Sequence, residues 1–228
     1  MKAPLQLLLT AVKIKGNSSM QIFKLTSPML SSNCYIVISH NEAIVIDPCI
    51  EPEKILNITN EQSSHISKII FTHAHIDHIF YAETLKKITN ADTYGHKGDY
   101  DLYRDEYKNG SILFGMHNKF EVYDIELTDN SIISINNEHA KIIHTPGHTM
   151  GCICIYVDKN LFTGDTLFYE SVGRTDLGTG DMDMLMDSIR NKIYTLPDET
   201  ILLPGHGIKS TIKHEKENNP YVYQSKQY

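Results

Sequence analysis

The chain has 228 residues, a formal net charge of −7 at pH 7, 41% hydrophobic and 21% charged residues. This composition is typical of a globular protein, and the length suits one domain with a sizeable core. The acidic balance argues against a nucleic-acid partner, and no apolar run reaches the roughly 18 residues of a membrane span. We therefore expect a cytoplasmic protein without nucleic-acid or membrane partners, and leave its oligomeric state open.

A short apolar run lies near the N-terminus, at residues 5–12, and basic residues follow it. A secretory signal is not favoured, because no small-residue cleavage site follows the run. We expect one folded domain over residues 20–228, beginning at Met20. Residues 1–19 would be a disordered extension or the product of a misassigned start site.

Short strands and helices alternate in the first half of the chain. Three β-rich runs are MQIFKL, NCYIVIS and EAIVID. The two-residue turn His40-Asn41 predicts a hairpin between the last two of these runs. A helical spacing follows in EPEKILNITNEQ, and then a buried strand in KIIFT. The run DHIFYAETLKKIT predicts an amphipathic helix with Asp77 at its N-cap.

The middle of the chain is polar and aromatic without a strong period, and we expect a helix near residues 98–107 followed by a loop. Its aromatic side chains could wall a pocket or pack into the core; they are Tyr100, Tyr103, Tyr107 and Phe114.

A second series of strands follows in SIISI, AKIIHT, CICIYVD and NLFTG, then the helix DMDMLMDSIRNKIYT and the strand TILLPG. The two halves thus share a plan, which favours two packed sheets with helices outside. The four cysteines lack the paired spacing of a zinc site, so we expect buried thiols; they are Cys34, Cys49, Cys152 and Cys154.

Metal-ligand side chains follow four of the predicted strands. The first group lies in FTHAHIDHIF and comprises His73, His75, Asp77 and His78. The other three each lie beside a glycine, in HTPGHT, LFTGDT and LLPGHG; they are His148, Asp165 and His206. A glycine beside a ligand allows the sharp turn and close backbone approach that a strand-end site needs.

Together these segments supply five imidazoles and two carboxylates. Seven ligands are too many for one tetrahedral zinc ion and suit two ions that share a carboxylate. His73 and His75, two apart on an extended loop, would bind one ion, while Asp77 and His78 would face a second. Asp47, at another strand end, either orients a ligand or caps the following helix.

The H-x-H-x-D-H pattern formed by His73, His75, Asp77 and His78 resembles that of the metallo-β-lactamase superfamily, over about residues 20–220. The resemblance implies an α+β fold, an αββα sandwich of two mixed β-sheets flanked by helices, with two divalent metal ions at one edge. Zinc is the expected metal, with iron or manganese as alternatives. The implied ligands are His73, His75 and His148 for the first ion, Asp77, His78 and His206 for the second, and Asp165 as the bridge.

Within the superfamily the chain is most similar to the glyoxalase II, or hydroxyacylglutathione hydrolase, group, through LFTGDTLFYESVGRTDLGTGD, LPDETILLPGHG and EKENNP. In that group a basic residue at the position of Arg174 contacts glutathione, although Arg174 could instead pair with Asp176. Only 22 residues follow His206, so we expect the single-domain bacterial type without a C-terminal helical domain. The usual cysteine before GRTD is replaced by Val172.

The implied function is that of a metal-dependent hydrolase of small-molecule thioesters such as S-lactoylglutathione, through attack by a metal-bridging hydroxide. Asp77 is the candidate to hold the proton of that hydroxide. The alternatives are a mononuclear-iron persulfide dioxygenase, a lactone hydrolase on the same fold, and a non-catalytic metal-binding protein. The PGHG segment around His206 favours the hydrolase over the dioxygenase.

Overall fold

The computed structural model describes residues 12–15, 20–117 and 120–222. The first sheet is mixed and has seven strands in sequential order. These strands are β1 (Val12–Lys15), β2 (Met20–Thr26), β3 (Asn33–Ser39), β4 (Glu42–Ile46), β5 (His65–Ile70), β6 (Asp92–His96) and β7 (Ile125–Leu127). Strands β1 to β4 pair antiparallel, and β4 to β7 pair parallel.

The second half of the chain contributes β8 (Ile132–Ile135), β9 (Glu138–His144), β10 (Ile153–Val157), β11 (Asn160–Gly164), β12 (Leu167–Phe168), β13 (Ser171–Val172), β14 (Ile201–Pro204) and β15 (Ser210–Thr211). Six of these strands form the second sheet, in the order β15-β14-β11-β10-β9-β8. This sheet is also mixed, because β11 and β14 run parallel while its other neighbours run antiparallel. Strands β12 and β13 form a separate two-stranded ribbon.

The helices are α1 (Pro52–Glu61), α2 (Ile76–Ile79), α3 (Ala82–Thr89), α4 (Tyr100–Arg104), α5 (Met182–Asn191) and α6 (Ile212–Asn218). The first four follow strands of the first sheet, and the last two belong to the second half. None of the helices in the described part of the chain is both long enough and apolar enough to cross a membrane.

The two sheets pack face to face. Alternate residues of β3 point to opposite faces, as the two-residue period of a strand requires. Tyr35 and Val37 enter the core between the sheets, and Tyr35 meets Phe162 of β11 edge-on with ring centroids 5.1 Å apart. Ile36 and Ile38 face the opposite side, where α1, α3 and α4 cover the sheet. Helices α5 and α6 cover the outer face of the second sheet. The predicted αββα sandwich is confirmed.

Most of the predicted elements agree with the structure. The His40-Asn41 hairpin is present between β3 and β4, with His40 in the left-handed region at φ 54°. Helix α1 lies where the spacing places it, although the helix expected near residues 98–107 is shorter, a 3-10 turn at Lys97–Asp99 followed by α4. The four cysteines are buried free thiols, as predicted.

The single helix predicted from Asp77 onwards is wrong. The structure has two helices, α2 and α3, and the first begins one residue before Asp77, with His75 in the N-cap position. The amide of Tyr81 donates to the carbonyl of Pro48 at 3.0 Å, so the helical ladder is interrupted there. Asp77 is no cap, because its carboxylate receives the hydroxyl of Ser32 instead.

Residues 1–11 and 16–19 of the expected N-terminal extension lie outside the described residues. Within that segment, β1 pairs with β2 in antiparallel register, with Val12 opposite Lys24. The last residues of the expected domain, 223–228, also lie outside the described part.

Candidate metal centre

One edge of the sandwich collects the loops that leave five strands. Asp47 follows β4, and the segment from His73 to His78 follows β5. His148 lies between β9 and β10, Asp165 directly follows β11, and His206 follows β14. Because β4 and β5 run parallel, and β11 and β14 also run parallel, their C-terminal ends open onto a common edge. The seven predicted ligands therefore meet although they span most of the chain.

The first cluster of the site consists of His73, His75 and His148, all buried, with donor atoms within 4.8 Å of one another. His75 Nδ1 lies 2.9 Å from His148 Nε2. The ring of His73 lies edge-on to both, with centroid distances of 4.9 Å to His75 and 4.8 Å to His148.

The second cluster consists of Asp77, His78 and His206, again with donor atoms within 4.8 Å of one another. His206 Nε2 lies 3.2 Å from Asp77 Oδ2 and 3.3 Å from His78 Nε2. Ser32 fixes the carboxylate of Asp77 by donating its hydroxyl to Oδ2 at 2.9 Å. Sequence reasoning did not single out Ser32, which precedes β3.

Asp165 lies between the two clusters. Its Oδ2 is 3.6 Å from His148 Nε2 and 3.4 Å from His206 Nε2, while its Oδ1 is 3.4 Å from His78 Nε2. Gly205 makes this approach possible, because a Cβ at that position would collide with Asp165 Oδ1 and lie 2.8 Å from His78 Cε1. The glycine beside His206 thus permits the close backbone approach to the site that the sequence predicted.

The donor set fits metal ions. Among the described residues, His73 Nε2 and Asp165 Oδ1 are buried without a hydrogen-bond partner, and a buried polar atom without a partner is rare in a folded protein. The nitrogen pairs at 2.9 and 3.3 Å compare with the roughly 3.3 Å between two nitrogens held tetrahedrally about 2.0 Å from one zinc ion. Two buried histidine and aspartate clusters with a carboxylate between them are consistent with a binuclear site.

Hydrogen bonds set the direction of several imidazoles. His148 Nδ1 donates to the carbonyl of Arg174 at 2.7 Å, and His206 Nδ1 donates to the carbonyl of Leu30 at 3.1 Å. His78 Nδ1 lies 2.9 Å from Asp47 Oδ2. When Nδ1 carries the proton, Nε2 presents its lone pair to the centre of the site.

Asp47 orients a candidate ligand, which decides between the two roles that the sequence left open. Besides His78, it accepts hydrogen bonds from the amide and the hydroxyl of Thr72, at 2.8 and 2.6 Å. The adjacent helix α1 has no side-chain cap. Asp47 therefore holds the loop after β5 and one of its histidines together.

Charge and burial move the pKa values of the two clusters apart. Burial lowers the pKa of His73 well below its usual range and that of His75 to about 3, and neighbouring imidazoles add to the effect. For His78 and His206 burial also opposes protonation, but the surrounding aspartates outweigh it and raise the pKa values to about 9 and about 10. The second cluster therefore carries protons that a metal ion must displace.

Asp99 is a buried carboxylate that sequence reasoning missed. Its Oδ2 accepts the amide of Ala74 at 2.9 Å and the hydroxyl of Thr149 at 2.8 Å, and its Oδ1 accepts the amide of Gly151 at 2.7 Å. Asp99 thus ties the loop of His73 and His75 to the loop of His148. The available signal was an acid just after a strand, as for Asp47.

A cavity of about 270 Å³ opens above the two clusters. Its floor contains predicted ligands, and its walls include Leu30, Leu113, Phe114, Arg174 and Leu177. Of the four aromatic residues considered as pocket walls, only Phe114 is among the described lining residues. Tyr103 packs in the core against Phe71, with ring centroids 5.8 Å apart.

Arg174 lies at the cavity, and its guanidinium is paired. Nε and Nη2 donate to the two carboxylate oxygens of Asp176 at 2.6 and 2.7 Å. Both side chains are exposed, at 60% and 68%. The structure therefore contains the pairing with Asp176 and also places Arg174 where a substrate could reach it.

Comparisons with known proteins agree with this geometry. The sequence profile described as Metallo-beta-lactamase superfamily matches residues 28–206. The chain is 32% identical over 196 residues to the "Probable metallo-hydrolase YqgX" of Bacillus subtilis (strain 168), which covers 85% of this chain and 93% of that protein. It is also 32% identical over 199 residues to the "Hydroxyacylglutathione hydrolase GloC" of Haemophilus influenzae, over 83% and 92% of the two chains.

Among solved structures, the di-iron-bound form of TTHA1623 is similar, with a TM-score of 0.78 and 31% identity over 87% of this chain and 99% of that one. The sandwich fold, its buried histidine and aspartate site and these relatives define a metallo-hydrolase. The chain belongs to the metallo-β-lactamase superfamily. Its relatives include a hydroxyacylglutathione hydrolase, in agreement with the resemblance to the glyoxalase II group.

Proposed function

We propose that this chain is a metal-dependent thioester hydrolase, with S-lactoylglutathione as the reference substrate. The observation that carries the proposal is the convergence of seven donor residues. Three of them, His73, His75 and Asp165, have a buried side-chain atom without a hydrogen-bond partner in the described part of the chain. The similarity to the hydrolase GloC supports the choice of thioester chemistry.

The donor atoms divide into two sets in this proposal. His73, His75 and His148 hold one divalent ion, and Asp77, His78 and His206 hold the second. Asp165 is shared, because its carboxylate lies within 3.6 Å of a histidine of each set. Imidazole and carboxylate ligands suit zinc, and also iron or manganese. The metal is therefore chosen by availability as well as by the ligands.

Two divalent ions bound here would lower the pKa of a bound water towards about 7 and would polarise the carbonyl oxygen of the substrate. Asp77 is placed to take up a proton from the attacking water, since Oδ2 is fixed by Ser32 and lies beside His206. In the metal-free protein the charged imidazoles of His78 and His206 outweigh the effect of burial and lower the pKa of Asp77 to about 2, so its carboxylate is ionised before a metal ion binds. The leaving thiol, with a pKa of about 8.5, departs as an anion without a strong acid.

The test combines metal analysis with turnover on one sample. The protein is purified without chelator or added metal, and its metals are counted by elemental analysis. Release of thiol from S-lactoylglutathione is followed on the same sample, beside an Asp165→Asn variant. About two ions per chain with turnover that Asp165→Asn abolishes supports the proposal.

A different outcome would identify the rival chemistry. About one iron per chain, no thioester turnover, and oxygen uptake with glutathione persulfide would overturn the hydrolase and indicate a dioxygenase, whose iron takes two histidines and a carboxylate. Two ions per chain with no turnover of any thioester would support the two-ion site and overturn the assignment of thioesters as substrates.

A further inference from the structure

The mouth of the cavity presents a group of apolar side chains, here termed the apolar rim: Leu30, Leu113, Phe114 and Leu177. Leu30 is 56% exposed, Leu113 69% and Phe114 39%. Single exposed apolar residues are ordinary on a protein surface, but a group of them around a concave site marks a place where apolar surface is buried on binding.

Two separate loops hold three of the four residues of the apolar rim; the fourth, Leu177, lies in the connection between β13 and α5. Leu30 lies in the turn between β2 and β3 with φ 52°, in the left-handed region, and its carbonyl accepts the hydrogen bond from His206. A leucine in this conformation is uncommon, and more than half of this side chain remains exposed. The turn therefore holds an apolar side chain beside a candidate ligand at some cost to stability.

The second loop is the short 3-10 segment Ser111–Phe114, which carries Leu113 and Phe114. A glycine in the left-handed region bounds it on each side, Gly110 at φ 81° and Gly115 at φ 67°. A Cβ at either glycine would meet nothing within 4 Å. The turns at these glycines and the buried, hydrogen-bonded Ser111 set the direction of the segment, which brings its two apolar side chains to the cavity.

The charges at the mouth offer little to an anionic group. Among the described lining residues, the one lysine or arginine side chain is Arg174, and Asp176 pairs with it through two hydrogen bonds. The carboxylates of Asp77 and Asp165 also line the cavity. A substrate group at the mouth thus meets apolar side chains and a guanidinium already paired with Asp176, while the proposed metal ligands lie at the floor of the cavity.

We propose that the apolar rim binds an uncharged apolar group of the thioester, so that thioesters with extended apolar groups are better substrates than S-lactoylglutathione. This inference rests on the proposed function and names its substrate class. The apolar group could belong to the acyl side or to the thiol side of the reacting carbonyl. Both sources present the same chemistry to the rim, and the experiment separates them.

The first arm varies the acyl chain from acetyl to octanoyl on one uncharged thiol, N-acetylcysteamine, with S-lactoylglutathione beside it. The second arm keeps the acetyl group and replaces the thiol by benzyl mercaptan. If the rim buries each added methylene, kcat/KM should rise about two- to fourfold per methylene until the cavity is filled. The arm in which the rise occurs identifies the side that the rim contacts.

The variants Leu113→Ser and Phe114→Ser remove apolar surface from exposed positions. We expect each to flatten the dependence of kcat/KM on apolar length. The matched control is Tyr107→Ser, an aromatic residue that is 73% exposed on the same connection and is not among the lining residues. It should retain the full dependence.

A binding measurement separates failure of this inference from failure of the proposed function. S-alkyl thioethers of N-acetylcysteamine cannot be hydrolysed, and their affinities are measured by calorimetry over the same range of chain lengths. Affinity that rises with length, without turnover of any thioester, would overturn the proposed function and retain the apolar rim. Thioester turnover with no rise in kcat/KM along the acyl series and none with benzyl mercaptan would overturn the role proposed for the rim. Equal flattening by Tyr107→Ser would also overturn it.

Discussion

His75 Nδ1 and His148 Nε2 lie 2.9 Å apart although 73 residues separate them in the chain. His148 Nδ1 donates to the carbonyl of Arg174, so the neutral ring of His148 presents its lone pair at Nε2. If His75 carries its proton on Nε2, its Nδ1 also presents a lone pair, and one cation would take both nitrogens as ligands. We predict that His148→Ala lowers the metal content from about two ions per chain to about one, since the second cluster keeps its own donors. Elemental analysis measures the change.

The control for this prediction is His144→Ala. His144 lies at the end of β9, stacks on His96 with ring centroids 3.9 Å apart, and belongs to neither cluster. It should retain both ions. A His148→Ala protein that also kept two ions would contradict the first donor set.

Asp99 should affect metal binding at the first cluster more than at the second, because it joins the loop of His73 and His75 to the loop of His148. In Asp99→Asn an amide group would face donors that now meet a carboxylate. We expect the affinity for one of the two ions to fall about 10- to 100-fold, with the other ion unaffected. A spectroscopic Co²⁺ titration resolves the two binding steps.

A matched buried carboxylate provides the control for Asp99. Glu215 is 1% exposed and accepts hydrogen bonds from the amide of Glu170 and the side chain of Asn219. Glu215→Gln should lower thermal stability and leave both Co²⁺ steps unchanged. If Asp99→Asn behaves in the same way as Glu215→Gln, its role is in folding alone.

Gly205→Ala should damage the site without a change in any donor. The new Cβ would collide with Asp165 Oδ1, so the shared carboxylate or the loop after β14 must move. We expect weaker binding of both ions and at least a tenfold loss of thioester turnover. Gly115→Ala is the comparison, since its Cβ would meet nothing within 4 Å, although its φ of 67° costs some stability. Two tightly bound ions in Gly205→Ala would refute the steric argument.

Stability should depend on pH in opposite ways with and without metal. In chelator-treated protein, the surrounding aspartates raise the pKa of His78 to about 9 and that of His206 to about 10, against the effect of burial. A raised pKa stabilises the folded state fully below the unfolded value of about 6.5, and this stabilisation is lost as the pH rises through the folded values.

We therefore predict that the melting temperature of chelator-treated protein falls between about pH 6.5 and pH 10. The metal-loaded protein should instead gain stability as protons leave its ligands. Thermal melts of the two forms over this range measure the difference. Parallel profiles would contradict the placement of the ions at His78 and His206.

The pair of Arg174 and Asp176 predicts a selective effect on anionic substrates. Asp176→Asn removes the carboxylate that now accepts two hydrogen bonds from the guanidinium. An exposed pair is weak, so we expect KM for S-lactoylglutathione to fall only about two- to fivefold, with no change for an uncharged thioester. Equal changes for both substrates would indicate a distortion of the cavity. Arg174→Ala is the complementary variant, and should raise KM for the anionic substrate alone.

The convergence of the candidate ligands could be predicted because each follows an apolar strand within a few residues. The same local pattern predicted the two halves and the hairpin at His40. What could not be predicted depends on contacts between distant residues. The carbonyl of Pro48 accepts the amide of Tyr81, which interrupts the helical hydrogen bonds between α2 and α3. Asp99 accepts a hydrogen bond from the amide of Gly151, which lies 52 residues away. No local period in the sequence reports such a contact.

Arg174 illustrates a different limit. Its spacing from Asp176 permits the observed ion pair, and the same position could reach a substrate. The sequence contains both possibilities, because a two-residue separation does not determine where an exposed guanidinium points. Likewise, the apolar residues of the rim are separated in sequence, and only the fold brings Leu30 to the same cavity as Leu113 and Phe114.

The way the donors are shared between the two sheets has a consequence for assembly of the protein. The first half supplies His73, His75, Asp77 and His78, and the second supplies His148, Asp165 and His206. A backbone cut in the connection between β7 and β8 would leave each fragment with an incomplete share of both donor sets. Tight binding of either ion would then require both fragments, because each donor set draws on both. The metal concentration would therefore control how far the two fragments associate.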